Sequence, residues 1–148
     1  MDIDMLKVIL VDDDEDDRLL FKDAIEEVDM NTSLLLFDNG QEFMDHITLS
    51  GQSIPHLVFL DLNMPIKNGI ECLTEIRQNN KLKDLSVAIY STSSSEKDIE
   101  QTFIKGANIY INKPNDFIKL KKAISEVLKL NWQYHTSNLN RENFLLSI

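Results

Sequence analysis

The chain has 148 residues and 43% hydrophobic content, enough for one domain with a real core and too much for global disorder. Its formal net charge of −10 argues against non-specific binding to nucleic acid or to an anionic membrane, since both need a positive field, and suits a cation or a basic partner. The single cysteine, Cys72, excludes an internal disulfide, and no apolar run approaches the ~20 residues that span a bilayer.

Lys7 to Val11 is short, apolar and β-branched, and reads as a buried strand. It runs straight into six carboxylates, Asp12 to Asp17. From Glu15 the period becomes helical, with Leu19, Leu20, Ala24, Ile25 and Val28 as the apolar stripe. Asn31-Thr32-Ser33 breaks it, and Leu34 to Phe37 is the second strand. Asp38-Asn39-Gly40 turns the chain into a helix marked by Phe43, Met44 and Ile47 and ending near Gly51. His56 to Asp61 is the third strand, Met64 to Gly69 a loop, and Ile70, Leu73 and Ile76 mark the next helix. Cys72 lies in that helix and reads as a small packed side chain, not a reactive thiol. Leu85 to Tyr90 is the fourth strand, followed by the polar stretch Ser91 to Ser95 and a helix from Glu96 to Lys105 that Gly106 stops. Ile109 to Ile111 is the fifth strand. Lys113-Pro114 then turns the chain into a last helix, Phe117 to about Leu130. His46, His56 and His135 are scattered and read as packing or surface residues.

Five strands alternating with five helices predict an α/β fold with a parallel sheet, helices on both faces and right-handed crossovers. In such sheets the site lies at the carboxyl ends of the strands. Asp12 and Asp13 follow strand one, Asp61 ends strand three, Ser91 follows strand four and Lys113 follows strand five. Clustered carboxylates stay ionised only if something positive joins them, and an all-oxygen set selects a hard cation such as Mg²⁺ or Ca²⁺. A carboxylate can also serve as a nucleophile toward phosphorus, with an ammonium and a hydroxyl meeting the charge of the phosphoryl group. The inventory points to metal-assisted phosphoryl transfer to an aspartate. Asp14 to Asp17 read separately, as a solvated helix start stabilised by the dipole.

With Val11-Asp12-Asp13, Leu60-Asp61-Leu62-Asn63-Met64-Pro65 and Gly69, Tyr90-Ser91-Thr92, and Tyr110-Ile111-Asn112-Lys113-Pro114 in this order, the chain resembles the receiver domain of bacterial two-component response regulators over roughly residues 5–130. The resemblance implies a flavodoxin-like five-stranded parallel sheet in the order 2-1-3-4-5. It implies Asp61 as phosphoacceptor and Mg²⁺ held by Asp12, Asp13, Asp61 and the Asn63 carbonyl. Ser91, Thr92 and Lys113 would bind the phosphoryl group, Ser91 and Tyr110 would act as the switch, and the Lys113-Pro114 peptide would be cis. The donor would be a sensor histidine kinase or a histidine phosphotransfer protein. The sequence departs from many family members after Lys113-Pro114, where Asn115-Asp116 displaces the aromatic to Phe117.

Residues 1–130 are thus expected to form the receiver domain, with residues 131–148 as a C-terminal tail and not a separate output domain. The expected function is that of a single-domain response regulator, a signalling protein and not an enzyme, without direct nucleic-acid contact or membrane insertion. The start Met1-Asp2-Ile3-Asp4 lacks the features of a signal peptide, so the cytoplasm is the expected location. The tail, rich in apolar residues, would pack on its own domain, on a homodimer partner or on a docking partner. The alternatives are a phosphate-independent receiver-like binding module, and a phosphatase of the haloacid-dehalogenase type. The latter typically shows Asp-x-Asp with its nucleophile after strand one and carries a cap domain, whereas here the adjacent pair Asp12-Asp13 follows strand one, the nucleophile candidate lies after strand three, and no cap domain is expected.

Overall fold

A computed structural model describes residues 5–49, 51, 53–130 and 144–146. The elements alternate in chain order: β1 (Leu6–Val11), α1 (Glu15–Glu26), β2 (Thr32–Phe37), α2 (Gly40–Thr48), β3 (Leu57–Leu60), α3 (Gly69–Gln78), β4 (Ser86–Ser91), α4 (Glu96–Ile104), β5 (Ile109–Asn112) and α5 (Phe117–Leu128). The strands form one sheet in the order β2-β1-β3-β4-β5, and every pair is parallel.

The central strands are buried on both faces, which is why they read as continuous apolar runs rather than alternating ones. Their side chains still divide by the pleat. Val8, Leu10, Leu57, Phe59, Ala88, Tyr90, Ile109 and Ile111 point to a core shared with α1 and α5. Ile9, Val11, Val58, Leu60, Val87, Ile89 and Tyr110 point to the opposite core, shared with α2, α3 and α4. On the first face Phe21, Phe59 and Tyr90 form an edge-to-face cluster, with Phe21 centred 4.9 Å from Phe59 and 5.5 Å from Tyr90.

α1 shows where the sequence reading needs correction. Phe21, Ala24, Ile25 and Val28 carry its buried stripe, at i, i+3, i+4 and i+7, whereas Leu19 (53% exposed) and Leu20 (38%) face outward. The two leucines lie off that face by most of a quarter turn or more, and Phe21 fills the position assigned to them.

Each helix starts on a side chain that accepts from its own first turn: Asp14, Asn39, Asn68, Ser95 and Asp116. Asn68 and Glu71 complete a reciprocal capping box. At the amino ends of the strands, half-buried Arg77 donates to the carbonyls of Lys83, Leu85 and Gly106 and to Asn108 Oδ1, tying α3 to the approaches of β4 and β5. That edge of the sheet is occupied by structural bonding. Among the described residues, no helix is long and apolar enough to cross a membrane.

Most of the expected tail, residues 131–143 and 147–148, lies outside the described residues. Phe144 is buried in the α2–α4 core at 1% exposure, and Leu145 forms a parallel bridge with Tyr110.

Candidate functional site

The parallel sheet brings the carboxyl ends of β1, β3, β4 and β5 to one edge, and the chemistry-bearing residues stand there. Asp12 follows β1 and is fully buried; Asp61 follows β3 and is 6% exposed. Asp13, the next residue after Asp12, is exposed. One carboxylate oxygen from each of Asp12, Asp13 and Asp61 can be chosen so that all lie within 4.8 Å of one another.

Lys113, at the end of β5, is the counter-charge. Its Nζ lies 2.8 Å from Asp12, 2.9 Å from Asp17 and 3.5 Å from Asp61, and 5.2 Å from the centre of the Tyr90 ring. Asp17 is the functional-edge residue that sequence reasoning placed in solvent. Asp14 does act as the helix cap, accepting from the Asp17 amide at 3.0 Å, but the Asp17 side chain folds back onto Lys113. No local signal marks this pair, because its members are 96 residues apart.

Burial drives the electrostatics. It raises the Asp61 carboxyl to about 6, against the pull of Lys113 and with the help of the Asp12 charge. Burial also raises Asp12, opposed by its contact with Lys113 and by the Asp14 amide. On Lys113 burial alone would favour the neutral amine, but the contacts with Asp12 and Asp17 more than reverse it and hold the ammonium charged. Asp12 Oδ2 has no hydrogen-bond partner besides this ion pair. One ammonium paired with three carboxylates, with Asp13 beside them, leaves the cluster short of positive charge. Its all-oxygen donors suit a hard divalent cation such as Mg²⁺.

The remaining predicted residues surround this cluster unevenly. Ser91 closes β4, is fully buried, and its hydroxyl accepts from the Ser93 amide at 3.1 Å. Thr92 and Asn63 are exposed, and the Asn63 amide bonds to the Asp61 carboxylate. Tyr110 is buried, and its hydroxyl donates to the Ser93 carbonyl at 2.8 Å. Asn112 reaches the carbonyls of Ser91, Thr92 and Ser93, and was not singled out from the sequence. The Lys113–Pro114 peptide is trans, not cis as the resemblance implies. Trans is the lower-energy isomer before proline, and Lys113 reaches its carboxylates from it. Cys72 is buried, its thiol pushed up to about 12 by burial, which fits a packing residue and not a nucleophile.

Two backbone features frame the Asp61 loop. A side chain on Gly69 would place its Cβ 2.3 Å from the Asp61 carbonyl oxygen, so only glycine lets α3 begin this close to the end of β3. Ile66, 76% exposed, takes a left-handed backbone with φ of 71°.

This chain is similar to known signalling proteins over most of its length. The family model of the response regulator receiver domain matches residues 8–125. Response regulator Rcp1 of Synechocystis is 29% identical over 124 residues, which span 81% of this chain and 84% of Rcp1. Among solved structures, the phosphorylated cyanobacterial phytochrome response regulator RcpA superposes with a TM-score of 0.79 at 29% identity, covering 88% of this chain and 96% of that one. The Mn²⁺-bound form of Rcp1 gives 0.77 at 27% identity, covering 87% and 96%.

Proposed function

Since the chain belongs to the response regulator receiver domain family, we propose that it accepts a phosphoryl group on Asp61 from a histidine kinase or a histidine phosphotransfer protein and passes the signal on by protein contact or phosphorelay. The observation that carries this reading is the placement of Asp61, buried at the end of β3 in one cluster with Asp12 and Asp13 and 3.5 Å from Lys113.

In the proposed reaction an Asp61 oxygen attacks phosphorus. The new P–O bond forms as the P–N bond to the donor imidazole breaks, and the released imidazole leaves with the electron pair. Asp12, Asp13, Asp61 and the Asn63 carbonyl would hold Mg²⁺, which draws charge from the phosphoryl oxygens. Lys113 must turn part of its charge from Asp12 and Asp17 toward the incoming group. Ser91 supplies a hydroxyl to a phosphoryl oxygen, and Thr92 borders the same position. Tyr110 answers the movement of Ser91 through the Ser91–Ser95 loop and, with Ser91, forms the switch. Mn²⁺ in Rcp1 and phosphorylation in RcpA, as those structures are described, support the metal and the acceptor roles by analogy. We further assign residues 1–130 as the receiver unit, residues 131–148 as a tail, and a cytoplasmic site of action.

The test is intact mass after incubation with acetyl phosphate, with and without Mg²⁺, for the wild type and Asp61→Asn. One phosphoryl adduct that needs both Mg²⁺ and Asp61 is expected. No adduct under rapid quench would overturn the reading in favour of phosphate-independent binding.

A further inference from the structure

The outer edge of β5 is occupied by three residues from the far end of the chain. The Leu146 amide donates to the Tyr110 carbonyl at 3.0 Å, and Leu145 pairs with Tyr110 in parallel register. The flanking side chains straddle the sheet. Phe144 enters the α2–α4 core, while Leu146 packs on the α1–α5 core. The Phe144 ring stands edge-on 5.3 Å from Phe103 of α4 and 6.1 Å from Tyr110.

Tyr110 joins this edge to the carboxylate cluster. Its hydroxyl donates to the Ser93 carbonyl, the Ser93 amide donates to Ser91 Oγ, and the Ser93 hydroxyl donates to the Asp98 carboxylate at 2.6 Å. Ser91 is the last residue of β4, at the end of the sheet where Asp61 stands. A tyrosine ring roofed by Phe144 cannot swing to solvent until Phe144 leaves. Conversely, an inward Tyr110 supplies one wall against which Phe144 packs.

We propose that Phe144–Leu146 is a latch seated on the β5 edge, and that its docking is coupled through Tyr110 and the Ser91–Ser95 loop to occupation of the phosphoryl position at Asp61. Both events select the inward Tyr110, so each strengthens the other by the same factor. Loss of the phosphoryl group loosens the latch and opens the apolar slot between Phe103 and Tyr110. This inference rests on the proposed phosphoacceptor role of Asp61.

The experiment uses the full chain with Mg²⁺ and beryllofluoride as the phosphoryl mimic. Hydrogen exchange at the Leu146 amide reads the latch directly, because that amide is bonded to Tyr110. Beryllofluoride is expected to slow this exchange several-fold in the wild type, and Phe144→Ala is expected to weaken beryllofluoride binding by a similar factor. Tyr110→Phe keeps the ring and drops the bond to Ser93. In that variant Leu146 should stay protected, but beryllofluoride should no longer change its exchange. Wild-type protein that binds beryllofluoride with unchanged or faster exchange at Leu146 would overturn the coupling alone. Wild-type protein that fails to bind beryllofluoride would overturn the phosphoacceptor reading and the coupling with it.

Discussion

Replacing Asp61 with asparagine should stabilise the protein at neutral pH when no divalent cation is present. Below the ordinary carboxyl value of 3.8, Asp61 is protonated in both the folded and the unfolded chain, so its burial carries no ionisation cost. Between 3.8 and about 6 the unfolded chain releases the proton while the folded chain retains it, so stability falls as pH rises; above about 6 the loss is constant. At about 1.4 kcal/mol for each tenfold change in proton affinity, this lift corresponds to about 3 kcal/mol. Asp12 and Lys113 titrate in the same field and share it, so about 1–3 kcal/mol should be recovered on substitution. For a domain of this size that is a rise in Tm of about 3–10 °C. Urea unfolding in EDTA at pH 4, 5, 6 and 7.5 would measure it. The gain should be near zero at pH 4, grow through pH 5 and 6, and level off above. Mg²⁺ should narrow the gap, by stabilising the native wild type more than a variant that lacks one carboxylate ligand. Equal midpoints at pH 7.5, or a gain as large at pH 4 as at pH 7.5, would refute the argument from burial.

Lys113→Met removes the ammonium paired with the Asp12 carboxylate and should cost about 3–5 kcal/mol at pH 7.5 in EDTA, with partial recovery in Mg²⁺; chemical denaturation with and without the metal checks both. Gly69→Ala drives a methyl group against the Asp61 carbonyl and should lose about 1–3 kcal/mol, with acetyl phosphate labelling slowed as the acceptor loop shifts. Ile66→Gly should gain about 1 kcal/mol, because the left-handed backbone is relieved at a position that buries little; an unchanged or lower Tm would argue against strain there. Phe21→Ala should cost about 3–5 kcal/mol while Leu19→Ala stays within about 0.5 kcal/mol, a contrast readable from denaturation midpoints.

The strands were legible because β1, β3 and β4 are buried from both sides and leave uninterrupted apolar runs such as Leu57–Leu60. The fold class followed from their alternation with helices, and the sheet order from the motifs that mark the family. Asp12, Asp13, Asp61, Ser91 and Lys113 were legible as a group because a parallel sheet carries every strand's carboxyl end to one edge. What escaped was set by geometry that no short window holds. Leu19 and Leu20 match a helical period as well as Phe21 does, and only the packing of Phe21 on Phe59 and Tyr90 decides which face turns inward. Asp17 sits in a run of acids whose members look alike until Lys113 arrives beside one of them. Phe144 has no periodic neighbours to place it; its seat on Phe103 and Tyr110 is a tertiary choice.

Lys113 has a consequence for biosynthesis. Its carboxylate partner just after β3 lies 52 residues earlier in the chain, and the one on α1 lies 96 residues earlier. Translation therefore delivers all the acids long before the ammonium that lets them crowd together. A nascent chain that has folded only its first strands holds a self-repelling, water-filled acidic edge. The last strand brings Lys113 to that edge and completes its ion pairs in one event. A fragment that stops short of Lys113 would leave Asp12, Asp17 and Asp61 without the ammonium that pairs with them in the finished fold.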